Sequence, residues 1–374
     1  MLPELERHPH ARAVLAPALG RDGRPSHAYL FHGPGGSGKR AGARAVAAEL
    51  LAVGAESAES EGSARRRAIA GAHPDLTWVT PSGAHEILVG DIDGPVVSAA
   101  SKTPFESTRR VFVIERVDEL GDEAANRMLK TLEEPASYVH LILLTDRLAE
   151  VLPTIRSRCQ LVRFDAPATD DVASALERGG TDRQAALACA RLSLGDAEQA
   201  ALLASEEGRS LRAAAEAYAR QTLAGKASEE RPWLPLLAAV RAKGDATQAD
   251  LESRATADME LYPSKDRKRL KTEWGERIRR SRRRGETVTL DLALQLVGLW
   301  YADMALLTWG AEDLVRHLDR RSELETDRGR GVTEGNLRTA TELVEDTRLR
   351  FQLNVSEELA CEALAYRLEH LLAV

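Results

Sequence analysis

The segment Gly33-Pro34-Gly35-Gly36-Ser37-Gly38-Lys39 constrains this chain more than any other feature. It lies between an apolar run, Ala28 to His32, and a stretch rich in Ala, Val and Leu that starts near Lys39. It fits the phosphate-loop pattern GxxxxGK, and a strand before with a helix after is the setting that pattern requires. Glycines let successive backbone N–H groups turn toward one anion, and the following helix adds its positive N-terminal end. Gly33, Gly35, Gly36, Ser37, Gly38 and Lys39 are therefore the candidate phosphate-binding residues. A glycine-rich turn with a chance lysine is the bland alternative, and the flanking elements argue against it. One position departs from the pattern. A Ser or Thr hydroxyl should follow the lysine to ligate Mg²⁺, and here Arg40 stands in its place.

The chain around this loop alternates short apolar runs with helical patterns. Strands are expected at Ala28–His32, Asp75–Val79, Ile87–Val89, Val111–Ile114, 139–145 and 161–164. Helices are expected over 4–19, from Lys39, over Asp91–Ser101 and over Glu123–Glu133, with 54–67 a surface loop or frayed helix. Strands apolar on both faces imply a parallel sheet covered by helices. Beyond Asp165 nearly every stretch reads as helix. Breaks are expected at Gly179-Gly180, Gly195-Asp196, Gly225, Pro232, Gly244, Pro263, Gly285 and Gly329–Gly331. The fold class is α/β, with a P-loop domain on a parallel sheet, followed by helices alone.

Composition limits the alternatives. The 374 residues are enough for two or three domains, and 29% charged residues with 43% apolar ones describe an ordinary globular protein. The net charge of −7 excludes a whole-protein basic footprint, though not a local one. Cys159, Cys189 and Cys361 are far apart and form no CxxC pair, which argues against a disulfide framework and a sequence-local zinc site. The N-terminus lacks the basic and apolar segments of a signal peptide, and no run of about 18 apolar residues is present. No membrane contact and a cytoplasmic location are expected.

Three further blocks bear on chemistry. The strand and turn 111–120, VFVIERVDEL, stand where an acid would hold Mg²⁺ and a neighbour would activate water. Glu115 fits the first role in degenerate form, Arg116 cannot fill the second, and a buried strand followed by a solvated charge run is the preferred reading. In 123–135, Ala125, Met128, Leu129 and Leu132 share one helical face. In 141–164, Thr145 ends a buried strand, where a polar side chain can sense a γ-phosphate, and Ser157-Arg158-Cys159 follows the Pro153 turn. An exposed arginine is most often only solvated. At the edge of a nucleotide-binding domain it can instead reach a neighbour's triphosphate.

HAYLFHGPGGSGK, GAHPDL, NRMLKTLEEP and PTIRSRC, in this order, resemble the clamp-loader branch of the AAA+ superfamily, and within it the delta-prime family of the bacterial DNA polymerase III clamp loader. The resemblance is specific over 1–165. It implies an AAA+ domain at 1–165, a helical lid at 166–207 and a helical collar for oligomerisation at 208–374. It implies a stator without intrinsic ATPase activity that donates Arg158 in trans, as an arginine finger, to a neighbouring motor subunit. The implied partners are the tau/gamma and delta subunits, the sliding clamp, and primer–template DNA through the complex. No cofactor is required, weak ATP or phosphate binding is left open, and the absence of cysteine from Leu51 to His73 removes the zinc module that many relatives carry. In the lid, Gly195 stands where motor subunits carry a phosphate-sensing arginine. The rival readings are a catalytic tau/gamma-type ATPase, an unrelated P-loop ATPase or kinase, and a plain scaffold.

The segment Lys265–Arg284 holds eleven basic and three acidic residues. A solvated helix face is the ordinary reading, and phosphate contact with DNA or contact with a partner's acidic face is the functional one. Trp274 is expected to pack rather than to stack on a base.

Overall fold

A computed structural model describes all residues except 1–4, 21–22, 56, 84–85, 261–263, 352–354 and 373–374. The chain divides into two compact units, Met1–Ala166 and Pro167–Val374.

The first unit carries β1 (Ala28–His32), β2 (Leu76–Val79), β3 (Arg110–Ile114), β4 (Val139–Thr145) and β5 (Gln160–Arg163). All pair in parallel in the order β2-β3-β4-β1-β5. Side chains alternate between two cores, as a strand's period of two dictates. Leu30, Phe112, Ile114, Leu141 and Leu143 enter one core, while Tyr29, Phe31, Val113, Ile142 and Leu144 enter the other. The helices are α1 (Pro9–Ala18), α2 (Lys39–Ala52), α3 (Ala58–Ile69), α4 (Val89–Ile92), α5 (Asp122–Glu133) and α6 (Pro153–Arg156). α2 belongs to the second of these cores, and α5 covers the first with Ala125, Met128 and Leu132 buried and Leu129 partly so.

One sequence expectation is decided here and another fails. Of the two readings of 54–67, loop or frayed helix, the helix holds from Ala58, because α3 is capped by Ser57, whose hydroxyl accepts from the Ser60 amide. Acids in its first turn and Arg66 and Arg67 in its last complement the helix dipole. Ile87–Val89 is not a strand. Ile87 makes one isolated bridge to Leu120, and the Asp91 carboxylate accepts from the Leu88 amide, which turns the chain into α4. A π-helical turn, Asp93–Ser98, continues it.

The second unit is helical. α7 (Thr169–Arg178), α8 (Arg183–Leu192) and α9 (Ala197–Ala204) break where glycines predicted. α10 (Glu206–Leu223), α11 (Ala227–Glu230), α12 (Trp233–Glu260), α13 (Ser264–Thr308), α14 (Arg321–Arg328), α15 (Glu334–Arg350) and α16 (Glu357–Leu372) follow. Leu290, Leu294, Val297, Trp300, Tyr301 and Met304 line the core. Cys189, Leu192 and Leu203, from α8 and α9, join the same core as α10 and α13. Buried hubs fix the bundle. Asp327 accepts from Arg220 and Trp300, and Asp303 accepts from Arg316 and His317.

Gly244 and Gly285 do not break helices; they lie inside α12 and α13. A Cβ at 244 would come within 2.5 Å of Glu286 Oε1, so the bare backbone there leaves room for the Glu286 side chain of α13. The predicted break at Pro263 lies outside the described residues. A window within Trp274–Thr308 is long and apolar enough to cross a membrane, with mean hydropathy 1.4, but 72% of it is buried inside the protein.

Candidate functional site

Parallel pairing brings the C-terminal ends of β1, β3 and β4 to one edge of the sheet, where ligands of open α/β sheets bind. His32 pairs with Thr145 and Ile114 with Leu143. The glycine loop, Glu115-Arg116 and Thr145-Asp146 therefore meet there. Gly33 and Gly38 hold φ of 148° and 84°, which side-chain-bearing residues rarely adopt. A Cβ on Gly33 would also collide with the Phe164 carbonyl oxygen.

Lys39 is buried, and its ammonium is fully engaged. Nζ donates to the carbonyls of Gly33 (2.7 Å) and Pro34 (2.5 Å) and to Ser37 Oγ (3.1 Å). It also pairs with Asp146 at 2.9 Å. The loop is thus closed on its own lysine. Asp146 escaped the sequence reading, although an acid directly after the Thr145 strand end was its signal.

Arg40 does more than remove a metal ligand. Its Nε and Nη2 both donate to Glu115 Oε2, at 2.9 and 2.7 Å. Glu115 Oε1 accepts from Trp78 Nε1 at 2.7 Å. The Glu115 side chain is 7% exposed and that of Arg40 51%. A guanidinium, always charged, satisfies the acid that a metal ion would otherwise share. These residues do not fit Mg²⁺.

Arg116 adopts a left-handed conformation with φ 55° and pairs with Glu119 at 2.7 Å. The chain then makes a 3₁₀ turn, Val117–Glu119, which buries the Asp118 carboxylate. Thr145 Oγ1 donates to Asp118 at 2.7 Å, and Arg147 pairs with the same acid at 3.0 Å. Thr145 is buried and spends its proton inside the domain. Sequence reasoning placed Thr145 correctly at the strand end and missed its partner.

Arg158 lies apart from these groups, on the turn between α6 and β5. Nη1 donates to the Thr154 carbonyl at 2.9 Å, and Nη2 meets Glu133 Oε1 at 2.6 Å. Its side chain is 36% exposed and that of Glu133 47%. This is a tethered but solvent-reachable guanidinium.

His73 Nδ1 accepts from the Asp75 amide, and burial pushes its pKa down. Asp75 is buried and accepts from the amides of Phe105, Glu106 and Ser107. Burial opposes its charge, but these three donors outweigh that and hold its pKa below the usual carboxylate value. Among the described residues, no group of three or more His, Cys, Asp or Glu is placed to hold a metal ion.

Residues 8–168 match the family model described as DNA polymerase III, delta subunit. Curated relatives agree. The DNA polymerase III subunit delta' of Bacillus subtilis is 37% identical over 161 residues, 42% of this chain and 48% of that protein. The same-named subunit of Pseudomonas aeruginosa is 37% identical over 143 residues, 38% of this chain and 44% of that protein. The gamma/tau subunit of Mycobacterium tuberculosis is 31% identical over 159 residues, 40% of this chain and 26% of that protein. The matched region spans about half the length of the delta' relatives or less. In this chain the glycines and lysine of the GxxxxGK pattern are present, and Arg40 stands where that pattern has a Ser or Thr hydroxyl.

Proposed function

We propose that this chain is the delta-prime subunit of a bacterial DNA polymerase III clamp loader. It acts as a stator that helps load the sliding clamp onto primed DNA and supplies Arg158 to a neighbouring ATPase subunit. The observation that carries this reading is the Arg40–Glu115 pair. An internal cation at 2.7 Å from the acid leaves the domain unsuited to Mg²⁺-dependent hydrolysis, while residues 8–168 match the family model described as DNA polymerase III, delta subunit.

The chemistry assigned to Arg158 follows from its side chain. A planar guanidinium offers a donor fork that matches phosphate oxygens, and lysine does not reproduce it. In a ring, this edge would face the neighbour's nucleotide, where the fork would hold the γ-phosphate and offset charge as it is cleaved. The partners are the tau/gamma and delta subunits and the clamp, with DNA reached through the complex. The location is cytoplasmic, and neither a cofactor nor zinc is needed. Residues 1–165, 166–207 and 208–374 would act as AAA+ domain, lid and collar.

Co-purification with tau/gamma and delta, together with nucleotide titration, tests this. Assembly into the loader with no turnover from this chain alone is the expected result. Turnover that disappears with Lys39→Ala would favour the tau/gamma-type reading, and failure to assemble would reject the clamp-loader role.

A further inference from the structure

Lys39 is the residue that the phosphate-loop pattern aims at a phosphate, and the chain supplies it with an anion of its own. An ammonium carries three protons and accepts nothing. Four oxygens of the chain lie within 3.1 Å of Nζ: the Gly33 and Pro34 carbonyls, Ser37 Oγ and Asp146 Oδ1. Only the last belongs to a charged group. The Asp146 side chain is 31% exposed and that of Lys39 7%, so the carboxylate is the more accessible of the two.

The carboxylate is itself held in place. Asp146 follows Thr145, the last residue of β4. The Thr145 hydroxyl accepts from the Arg147 amide at 3.0 Å and donates to the buried Asp118 at 2.7 Å, which ties down the backbone on both sides of Asp146. Asp146 Oδ2 lies 3.7 Å from Arg116 Nη1. Arg116 is fixed in turn by Glu119 and by a left-handed backbone that few residues other than glycine adopt. One carboxylate thus bridges two cations, the lysine of the glycine loop and the arginine of the turn after β3.

We propose that Asp146 is an internal counter-anion that keeps the phosphate loop shut against polyphosphates. The inference rests on reading Gly33–Lys39 as a phosphate loop. A polyphosphate that reaches Nζ must displace a charge-assisted contact, about twice as strong as a neutral hydrogen bond, and must do so beside a negative charge. Arg116 is always charged, and it faces the second carboxylate oxygen while the first meets Lys39. This contact is separate from the Arg40–Glu115 pair. That pair bears on a metal ion, and Asp146 bears on the phosphate.

The test uses the full chain and inorganic tripolyphosphate, titrated by calorimetry in EDTA so that no metal ion contributes. Asp146→Asn keeps the size of the side chain and an oxygen for Nζ while removing the charge. Asp146→Ser is a second neutral variant, and circular dichroism checks the fold of each. Both should bind tripolyphosphate at least tenfold more tightly than wild type, and Lys39→Ala added to Asp146→Asn should abolish the gain. Glu150→Gln removes a half-exposed acid that pairs with Arg147 instead, and it should leave the affinity unchanged. Wild-type affinity in both Asp146 variants would overturn the proposal; if Lys39→Ala alone still weakened binding, the phosphate-loop reading would stand without it. An equal gain from Glu150→Gln would also overturn it, because net charge would then be the cause. Absence of binding in every variant would overturn the counter-anion and the phosphate-loop reading together.

Discussion

Breaking the Arg40–Glu115 pair gives the most informative perturbation of the sheet edge. Replacing Arg40 with Thr restores the hydroxyl of the phosphate-loop pattern and leaves Glu115 with Trp78 as its remaining donor among the three side chains. Removing one partner of a fully buried pair costs about 3–5 kcal/mol, and an exposed pair is worth about 0.2–1 kcal/mol. This pair is mixed, with Glu115 at 7% exposure and Arg40 at 51%. Water can reach the gap from the arginine side, so Arg40→Thr should cost about 1.5–3 kcal/mol. Glu115→Gln keeps an acceptor for Trp78 and frees a half-exposed arginine to solvent, so it should cost about 0.5–1.5 kcal/mol. The double variant should lose less than the sum by about 1 kcal/mol or more. That coupling isolates the pair from whatever else each side chain touches. Urea unfolding followed by fluorine NMR of labelled tryptophan suits the assay, because Trp78 reports on the first unit and the other four tryptophans lie in the second. Additive effects within about 0.3 kcal/mol would refute the internal-cation account.

Three other outcomes follow. The purified chain should show no steady-state ATPase above background with Mg²⁺, and Lys39→Ala should leave that unchanged, as phosphate-release assays would establish. Asp75 has a folded pKa held below its ordinary value of 3.8, so its contribution is complete above that pH and fades as pH falls through the lower folded value. Asp75→Asn should cost at least about 2 kcal/mol at pH 7, and the gap from wild type should narrow below about pH 4 in urea titrations; a gap independent of pH would contradict the assignment. A chain ending at Ala166 should stay folded, as judged by circular dichroism, yet fail to co-purify with the loader. A cut at 207 should instead yield an unstable product, because it strips Cys189, Leu192 and Leu203 of the core they share with α10 and α13.

The central strands were legible because they are apolar on both faces, and 28–32 and 139–145 begin and end where the hydrophobic runs do. Ile87–Val89 misled because three apolar residues satisfy a strand or a helix entrance equally, and Asp91 decided for the helix. Gly244 misled because a glycine that makes room for a side chain of a neighbouring helix looks, in one dimension, like one that ends a helix. At the site, each departure from the motif was visible singly. Arg40 and Glu115 are 75 positions apart, so that they neutralise each other emerged only when β1 and β3 were placed on either side of β4. Asp146 was overlooked because no motif names it, yet it holds Lys39.

The central claim concerns Arg158, and reconstituted clamp loading tests it most directly. An arginine supplied in trans is worth about 10³–10⁵ in rate in GTPases, and in a ring with several ATP sites the loss of one should reduce the whole by less. The Glu133 partner is half exposed, so removing the pair should cost the isolated chain no more than about 1 kcal/mol. The measurement compares wild type, Arg158→Ala and Arg158→Lys in a loader assembled with tau/gamma and delta, alongside melting of each isolated chain. The account predicts complexes that assemble and melt normally but lose clamp-stimulated ATPase and loading, with lysine failing to restore them. Full loading by Arg158→Ala, or a defect that tracks a lowered melting temperature, would contradict it.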